Sequence, residues 1–376
     1  MESSEPFDVV VVGVGGFGSA ALFHLARSGR RVLGIERFGV PNERGSSHGV
    51  TRIIRLAYYE HPSYVPLLRR AYELWRELEA AAGEQLLHVT GSVDAGARDS
   101  FVFEGSLRSC LQHGLEHEVL DAAEVNRRFP GYRLPAESAS VFQPDGGFLL
   151  PERCIVAHVD AARRLGAAVR TNERVLEWES TGGGVRVTTD RAAYEAERLV
   201  LAAGAWEGEL TGLPVEAERQ VLAWLDPLTP ELFSPERFPV FNLIVDEGRY
   251  YGFPVYGIPG FKLGRYHHLE EQGDPDELDC EPSERDEQVL RAVAERYFPE
   301  GAGPTSSLKT CLFENTPDEH FLLGLHPDHE NVVVAGGGSG HGFKFASVIG
   351  EIVAQLARGD SPSLDIGLLS PKRFSG

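Results

Sequence analysis

Methionine occurs once in this chain, as Met1, and cysteine only four times, at Cys110, Cys154, Cys280 and Cys311. The shortage of methionine suits a protein exposed to oxidant or heat, although chance gives the same count. The cysteines are scattered and form no CxxC pair, which excludes a zinc ribbon or redox dithiol and leaves no metal-ligand pattern. So sparse a thiol content fits a reducing, cytoplasmic setting. Basic residues are also short: 36 Lys and Arg stand against 56 Asp and Glu, a formal net charge of −20. Such a surface repels phosphate backbones and excludes nucleic acid as a partner. The simplest reason for the acidity is solubility. A small anionic substrate would then need a local basic pocket working against the overall field.

Long apolar runs are missing too. Val9 to Val14 falls far short of the roughly 20 residues a membrane helix needs, and no other stretch comes closer. The opening MESSEPFDVVVVG has neither the basic region nor the cleavage site of a secretory leader. Repeats and low-complexity tracts are absent. What is present is ordinary for a globular protein: 42% apolar and 24% charged residues. At 376 residues the chain exceeds one ordinary core, so two domains are expected.

Phe7–Gly13 is a continuous apolar run, as a parallel strand covered on both faces requires. Gly16–Ser28 reads as a helix, Gly29 ends it, and Arg31–Glu36 is the next strand. This is a βαβ crossover of the usual length. The Gly, Ser, Pro and Asn content of Phe38–Val50 predicts irregular chain, and Pro62 opens an amphipathic helix to about Ala82. Phe101–His113 and Pro151–Leu165 read as helices; Ala168–Glu177, Val185–Thr189 and Arg198–Ala203 read as strands. Gln220–Gly264 is broken by Pro and Gly into short strands, and Asp286–Tyr297 returns to helix. Near the end, the strand Asn331–Ala335 feeds GGGSGHG and a helix to about Arg358. Parallel pieces at the start, middle and end, with antiparallel material between, imply one domain assembled from discontinuous segments.

The chemistry begins at Gly13-Val14-Gly15-Gly16-Phe17-Gly18, a G-x-G-x-x-G pattern between strand and helix. Gly13 permits the tight turn, Gly15 admits a pyrophosphate, and Gly18 permits close helix–strand contact. Glu36, at the tip of the second strand, can bind ribose hydroxyls. The glycine pattern alone is weak; with strand, helix and acid in register it points to a dinucleotide. Glu36 disfavours NADP but leaves NAD and FAD open. An NAD dehydrogenase would continue with further βαβ units, whereas here a Gly/Ser loop follows and then Thr51-Arg52-Ile53-Ile54-Arg55. Arg52 and Arg55 share a face if this stretch is helical. They are either surface ion-pair residues or an anion site beside the cofactor, since guanidinium matches carboxylate in bidentate geometry.

DVVVVGVGGFGSAALFHLARSGRRVLGIERF and GSSHGVTRIIRLAYYEHPSYVPLLRRAYELW resemble the opening of the monomeric sarcosine oxidase family, which includes N-methyltryptophan and pipecolate oxidases. YYGFP (Tyr250–Pro254), FKLG (Phe261–Gly264), CLFENTPDEHF (Cys311–Phe321) and GGSGHGFKF (Gly337–Phe345) extend the likeness over the whole chain. It implies FAD, linked covalently through Cys311. Without it, Cys311 would read as a buried structural cysteine and Lys262 as a solvated strand charge. By the resemblance Lys262 lies over the flavin and activates oxygen, a fixed cation meeting developing negative charge. Arg55 and Lys344 match the pair that holds the substrate carboxylate, which sets the reacting C–H bond towards the flavin. Arg52 matches an arginine packed by the flavin, and Tyr251 matches a tyrosine of the pocket. His341 lies in the glycine-rich turn near the flavin's polar edge, where amides can stabilise a reduced ring. Ser46, Thr51, Gly340 and Lys344 are further implied cofactor contacts, Ala202–Trp206 resembles a second contact strand, and Val175 is placed against adenine through its backbone.

This sequence departs from the family pattern in three places. Phe313 replaces a pocket tyrosine, and Val50 replaces an acidic residue. In KLGRYHH the family's histidine position falls on Tyr266, with His267 next; His267 is favoured for the role.

The fold expected is α/β, with a glutathione-reductase-like (Rossmann-type) FAD domain over 1–85, 151–215 and 310–376. A mixed, mainly antiparallel sheet forms the substrate domain over 86–150 and 216–309. The implied reaction oxidises a secondary amino acid, sarcosine first, with oxygen, giving glycine, formaldehyde and hydrogen peroxide. N-methyltryptophan and cyclic amino acids such as pipecolate or proline are the alternative substrates. An NAD-dependent dehydrogenase and a non-catalytic flavin-binding protein are the alternatives of another kind. The partners expected are the small amino acid and oxygen, with no nucleic acid and no membrane, and the chain is expected to be a monomer.

Overall fold

The chain builds two large sheets, and the first is wound as the opening residues predict. The computed structural model describes residues 7–374. The extreme ends of the segments assigned to the FAD domain, 1–6 and 375–376, lie outside the described residues. In the eight-stranded sheet, Phe7–Val12 pairs in parallel with Val32–Ile35 on one side and Ala193–Leu201 on the other. Val332–Gly336 extends it in parallel beyond Leu201. Val9–Val12, Val32–Ile35, Leu199–Leu201 and Val332–Ala335 are apolar and buried because helices and further chain cover both faces there. The helix Gly16–Arg27 covers one face and packs on the C-terminal helix Ala346–Ala357. Their approach is so close that a Cβ at Gly350 would lie 2.5 Å from the Ala20 carbonyl carbon.

One expected strand is in fact two. Ala168–Arg170 pairs in parallel with Leu33–Ile35, whereas Val175–Thr181 pairs antiparallel with Gly184–Thr189. Between them Asn172 takes a left-handed φ of 54°. The Asn172 and Glu173 amides donate to the carbonyls of Phe38 and Glu36. The chain thus changes sheet position where apolar periodicity alone reads as continuous strand.

The second sheet has nine strands. All its pairings are antiparallel except Val240–Val245 against Ser92–Ala97. Thr305–Asn315 pairs along the whole of Glu216–Leu225, so the segment expected to enter the FAD domain at 310 continues in this sheet until Asn315. Side chains alternate between faces with period two. Val221, Ala223, Tyr250, Phe261 and Leu263 pack behind the sheet with Phe233, Phe238, Phe241 and the helix Glu284–Tyr297. Their neighbours Leu222, Trp224, Tyr251, Phe253, Cys311 and Phe313 face the other way, with Tyr266. A three-stranded sheet of Arg52–Ile54, Gly147–Leu149 and Leu87–Val89 adjoins that second face. No helix among the described residues is long and apolar enough to cross a membrane.

Candidate active site

The glycine-rich turn has the three spatial requirements its pattern predicts. Gly13 has a φ of +85°, and a Cβ there would come within 2.3 Å of the Ala202 carbonyl oxygen. A Cβ on Gly18 would stand 1.8 Å from the Gly13 oxygen, so helix and strand touch only because glycine is present. A Cβ on Gly15 would meet nothing within 4 Å, which leaves the amides open to a ligand. No side chain caps the helix that starts at Gly16, so its first N–H groups face the same space. Glu36 accepts the Val14 amide at 2.8 Å and the Phe38 amide at 3.0 Å, one on each oxygen. Each oxygen keeps a lone pair for a hydroxyl.

These residues line a cleft whose walls also include Glu36, Val175, Ser46, Arg52, Phe313 and Gly340. A cleft that runs from the glycine turn past Glu36 to these distant residues is long enough in outline for an extended ligand with a phosphate at its middle. Two carboxyls that the sequence reading did not single out stand at this cleft. Glu314 lines it, takes a short hydrogen bond from the Ser46 hydroxyl, and is pushed up to about 7 by burial. Glu207 holds the Ala203 amide at 2.5 Å and is pushed up to about 8, by burial first and by Glu314 as well.

Lys262 stands on the face of the second sheet that carries Tyr251 and Cys311. Its ammonium donates to Gly49 O at 2.7 Å, Thr51 O at 2.8 Å and Thr51 Oγ1 at 3.2 Å. Those oxygens converge because Val50 bends the chain at a φ of 71°, which a β-branched residue rarely adopts. The Glu152 carboxylate secures the bend through the Gly49 and Val50 amides. Thr51 therefore serves the lysine and does not line the cleft. Burial, with Arg52 nearby, lowers the Lys262 ammonium well below the ordinary lysine range. Cys311 is buried among the same side chains, and burial raises its thiol while Arg52 and Lys262 oppose the rise.

Arg52 and Arg55 do not share a helical face. Arg52–Ile54 is a strand, so residues three apart point to opposite sides. Arg52 lines the cleft and donates to Ser46 O and Thr51 O. Arg55 turns inward to Glu60, at 2.9 and 3.1 Å, and towards Asp94 at 3.8 Å. Burial raises the Glu60 carboxyl, but Arg55 and further cations hold it down at about 2. Lys344 meets Arg55 at one ring: Arg55 Cζ lies 4.6 Å and Lys344 Nζ 5.3 Å from the centre of Tyr58. Burial, then Arg55, lowers the Lys344 ammonium to about 7, and Nζ donates to His341 O at 2.7 Å. His341 is lowered to about 4 by burial and is neutral at pH 7. Its Nε2–H donates to Glu319 O at 2.9 Å, which leaves Nδ1 to accept from the Tyr58 hydroxyl. Gly340 lines the cleft and Val175 its opposite end.

His267 lies apart from this pocket. It takes a left-handed φ of 52°, which turns Nδ1 to Glu218 at 2.7 Å and Nε2 to Glu319 at 3.4 Å. Those carboxylates raise it to about 9. Tyr266 is the residue directed inward, 5.1 Å from Tyr251 and 5.9 Å from Phe313 between ring centres.

The chain matches the model of the DAO family, FAD dependent oxidoreductases, over residues 8–356. Monomeric sarcosine oxidase of Streptomyces avermitilis is 41% identical, with 99% of each chain covered. N-methyl-L-tryptophan oxidase of Salmonella agona is 36% identical over 98% of this chain and 99% of its own. Among solved structures, NikD, an amino acid oxidase essential for nikkomycin biosynthesis, superposes with a TM-score of 0.85 at 29% identity, covering 98% of both chains. The glycine turn, the free helix N-terminus and the long cleft fit the dinucleotide that this family uses. The chain therefore belongs to the DAO family of FAD dependent oxidoreductases, in its monomeric sarcosine oxidase and N-methyltryptophan oxidase branch.

Proposed function

We propose that this protein oxidises a small secondary amino acid with oxygen, and that sarcosine, the simplest N-methyl amino acid, is among its substrates. An N-methyl amino acid, oxygen and water then yield the demethylated amino acid, an aldehyde and hydrogen peroxide. For sarcosine the products are glycine and formaldehyde. The observation that carries the reading is the Lys262 ammonium, buried and held by three acceptors on the sheet face shared with Tyr251 and Cys311.

Bound FAD supplies the two-electron acceptor and the path to oxygen. The protein's part is to bind, orient and tune. Lys262 presents a fixed positive charge to oxygen as it gains electrons. Arg55 and Lys344 receive the substrate carboxylate, while Glu60 keeps the guanidinium charged and aligned. Tyr251 and Tyr266 wall the pocket, Tyr266 standing where a histidine was expected. Cys311 is the attachment point for the flavin, with Arg52, Ser46, Gly340 and His341 around the ring and Val175 at the adenine. Phe313 makes one wall apolar, which favours bulkier or more apolar N-substituents; N-methyltryptophan, whose bulk lies on the α-carbon, is kept separately as a second substrate.

The test is to precipitate the purified holoenzyme in acid and, separately, to measure peroxide from sarcosine. Flavin is expected in the pellet and peroxide in proportion to sarcosine consumed. Flavin left in the supernatant removes the role of Cys311. No peroxide from sarcosine, N-methyltryptophan or pipecolate overturns the reaction.

A further inference from the structure

Arg249 is a side chain whose chemistry the reading above leaves unused. It lies on the strand Gly248–Phe253, where Tyr250 points into the aromatic core behind the sheet while Tyr251 and Phe253 face the active-site side. Alternation puts Arg249 on the side of Tyr251. Its Cζ sits 3.7 Å from the centre of the Tyr266 ring, the ring that also packs on Tyr251 and Phe313.

The Arg249 side chain is 11% exposed, and among the described residues its one ion pair is Glu319 at 4.0 Å, the outer limit of such a contact. Glu319 is itself 49% exposed and lies closer to His267, at 3.4 Å. Among the described residues Arg249 donates no side-chain hydrogen bond, although a guanidinium carries five donors. The other secluded arginines differ. Arg219 bonds both Asp286 oxygens and the carbonyls of Asp279 and Glu281. Arg55 takes Glu60 in bidentate fashion. A secluded guanidinium is costly unless its donors are satisfied, and carboxylate is the group whose geometry matches it.

The position relative to Arg55 defines what that carboxylate belongs to. Arg55 Cζ is 4.1 Å and Arg249 Cζ 6.0 Å from the centre of the same Tyr59 ring. Two guanidiniums so placed can hold two carboxylates of one small molecule. An overall charge of −20 makes such local cations necessary if the substrate is an anion.

We infer that Arg249 is a specificity residue for a second carboxylate, and that the preferred substrates are N-methylated amino dicarboxylic acids of the N-methylaspartate or N-methylglutamate kind. The inference rests on the proposed amine-oxidase reading: Arg55 and Lys344 take the α-carboxylate, Arg249 the side-chain carboxylate.

The test compares the holoenzyme with Arg249→Met, which keeps an apolar chain on Tyr266, and with Arg249→Lys. Anaerobic flavin reduction is followed with N-methyl-L-glutamate, N-methyl-L-aspartate and sarcosine, and calorimetry measures binding of glutarate against butyrate. The native enzyme is expected to favour the better dicarboxylate over sarcosine in kcat/KM by about tenfold or more. Arg249→Met should lose on the order of 100-fold on the dicarboxylates and much less on sarcosine, with Arg249→Lys between. Its advantage for glutarate over butyrate should vanish. Equal use of sarcosine and dicarboxylates by the native enzyme, or an equal loss on every amine in Arg249→Met, overturns the inference and leaves Arg249 a structural partner of Glu319. If no amine reduces the flavin while glutarate still binds through Arg249, the amine-oxidase reading fails and the anion site stands.

Discussion

The dinucleotide cleft and the proposed substrate pocket are built from different materials. The cleft draws heavily on backbone: a glycine turn, the open start of a helix and a second glycine-rich turn around Gly338–Gly342, with Glu36, Ser46, Arg52 and Glu314 among its polar side chains. The pocket is made of side chains drawn from separate strands and loops, Arg55, Tyr58, Tyr251, Lys262, Tyr266 and Lys344, most of them buried and several of them charged. A backbone site tolerates no added atom at its contact points. A side-chain site tolerates substitution but changes its electrostatics each time, because each buried charge depends on its neighbours.

The largest expected effect tests the backbone half. Gly18→Ala places a methyl 1.8 Å from the Gly13 oxygen, so helix and strand must separate. The variant should purify colourless or fail to fold, read as the flavin-to-protein absorbance ratio. A fully yellow Gly18→Ala protein would break the comparison.

A smaller effect is expected in the side-chain half. Lys262→Met should retain flavin but lose on the order of 100-fold or more in the rate of reoxidation by oxygen. Anaerobic reduction by sarcosine should fall much less. Stopped-flow measurement of the two half-reactions separates them, and an equal loss in both would make Lys262 structural.

The smallest effect is graded by pH. The Lys344 ammonium is lowered to about 7, so it is charged below that pH and neutral above it. Acetate, already ionised throughout this range, should bind more weakly as pH rises through 7, by up to about tenfold per unit. Calorimetric titration between pH 6 and 9 checks the sign. Binding that strengthens with pH would remove Lys344 from the carboxylate site.

The two halves also differed in how far they could be read beforehand. Gly13, Gly15 and Gly18 share one turn and Glu36 directly follows the next strand of the same βαβ unit, so local chain geometry dictates their roles. The pocket was legible only as scattered motifs. Arg52 and Arg55 were paired by helical spacing, yet Ile53 and Ile54 between them are strand formers, and the extended chain sends the two arginines to opposite sides. The sequence favours His267 over its neighbour Tyr266, whereas the left-handed φ at His267 turns it to Glu218 and Glu319 and leaves Tyr266 pointing inward. Ala168–Glu177 read as one strand because a change of sheet leaves no mark in apolar periodicity. Glu60, Glu207, Arg249 and Glu314 carried no local signal, since their importance comes from burial and from partners far along the chain.

By itself the sequence determined the βαβ opening, the dinucleotide turn, the discontinuous layout of the two sheets and, through several motifs in order, the family. These depend on local periodicity and on residues close in the chain. Only the tertiary structure decided which side chains converge, which charges are buried together and which arginine, among the described residues, donates no side-chain hydrogen bond. Those are properties of strands brought side by side from distant segments, and a buried charge takes its meaning from what lies across the gap.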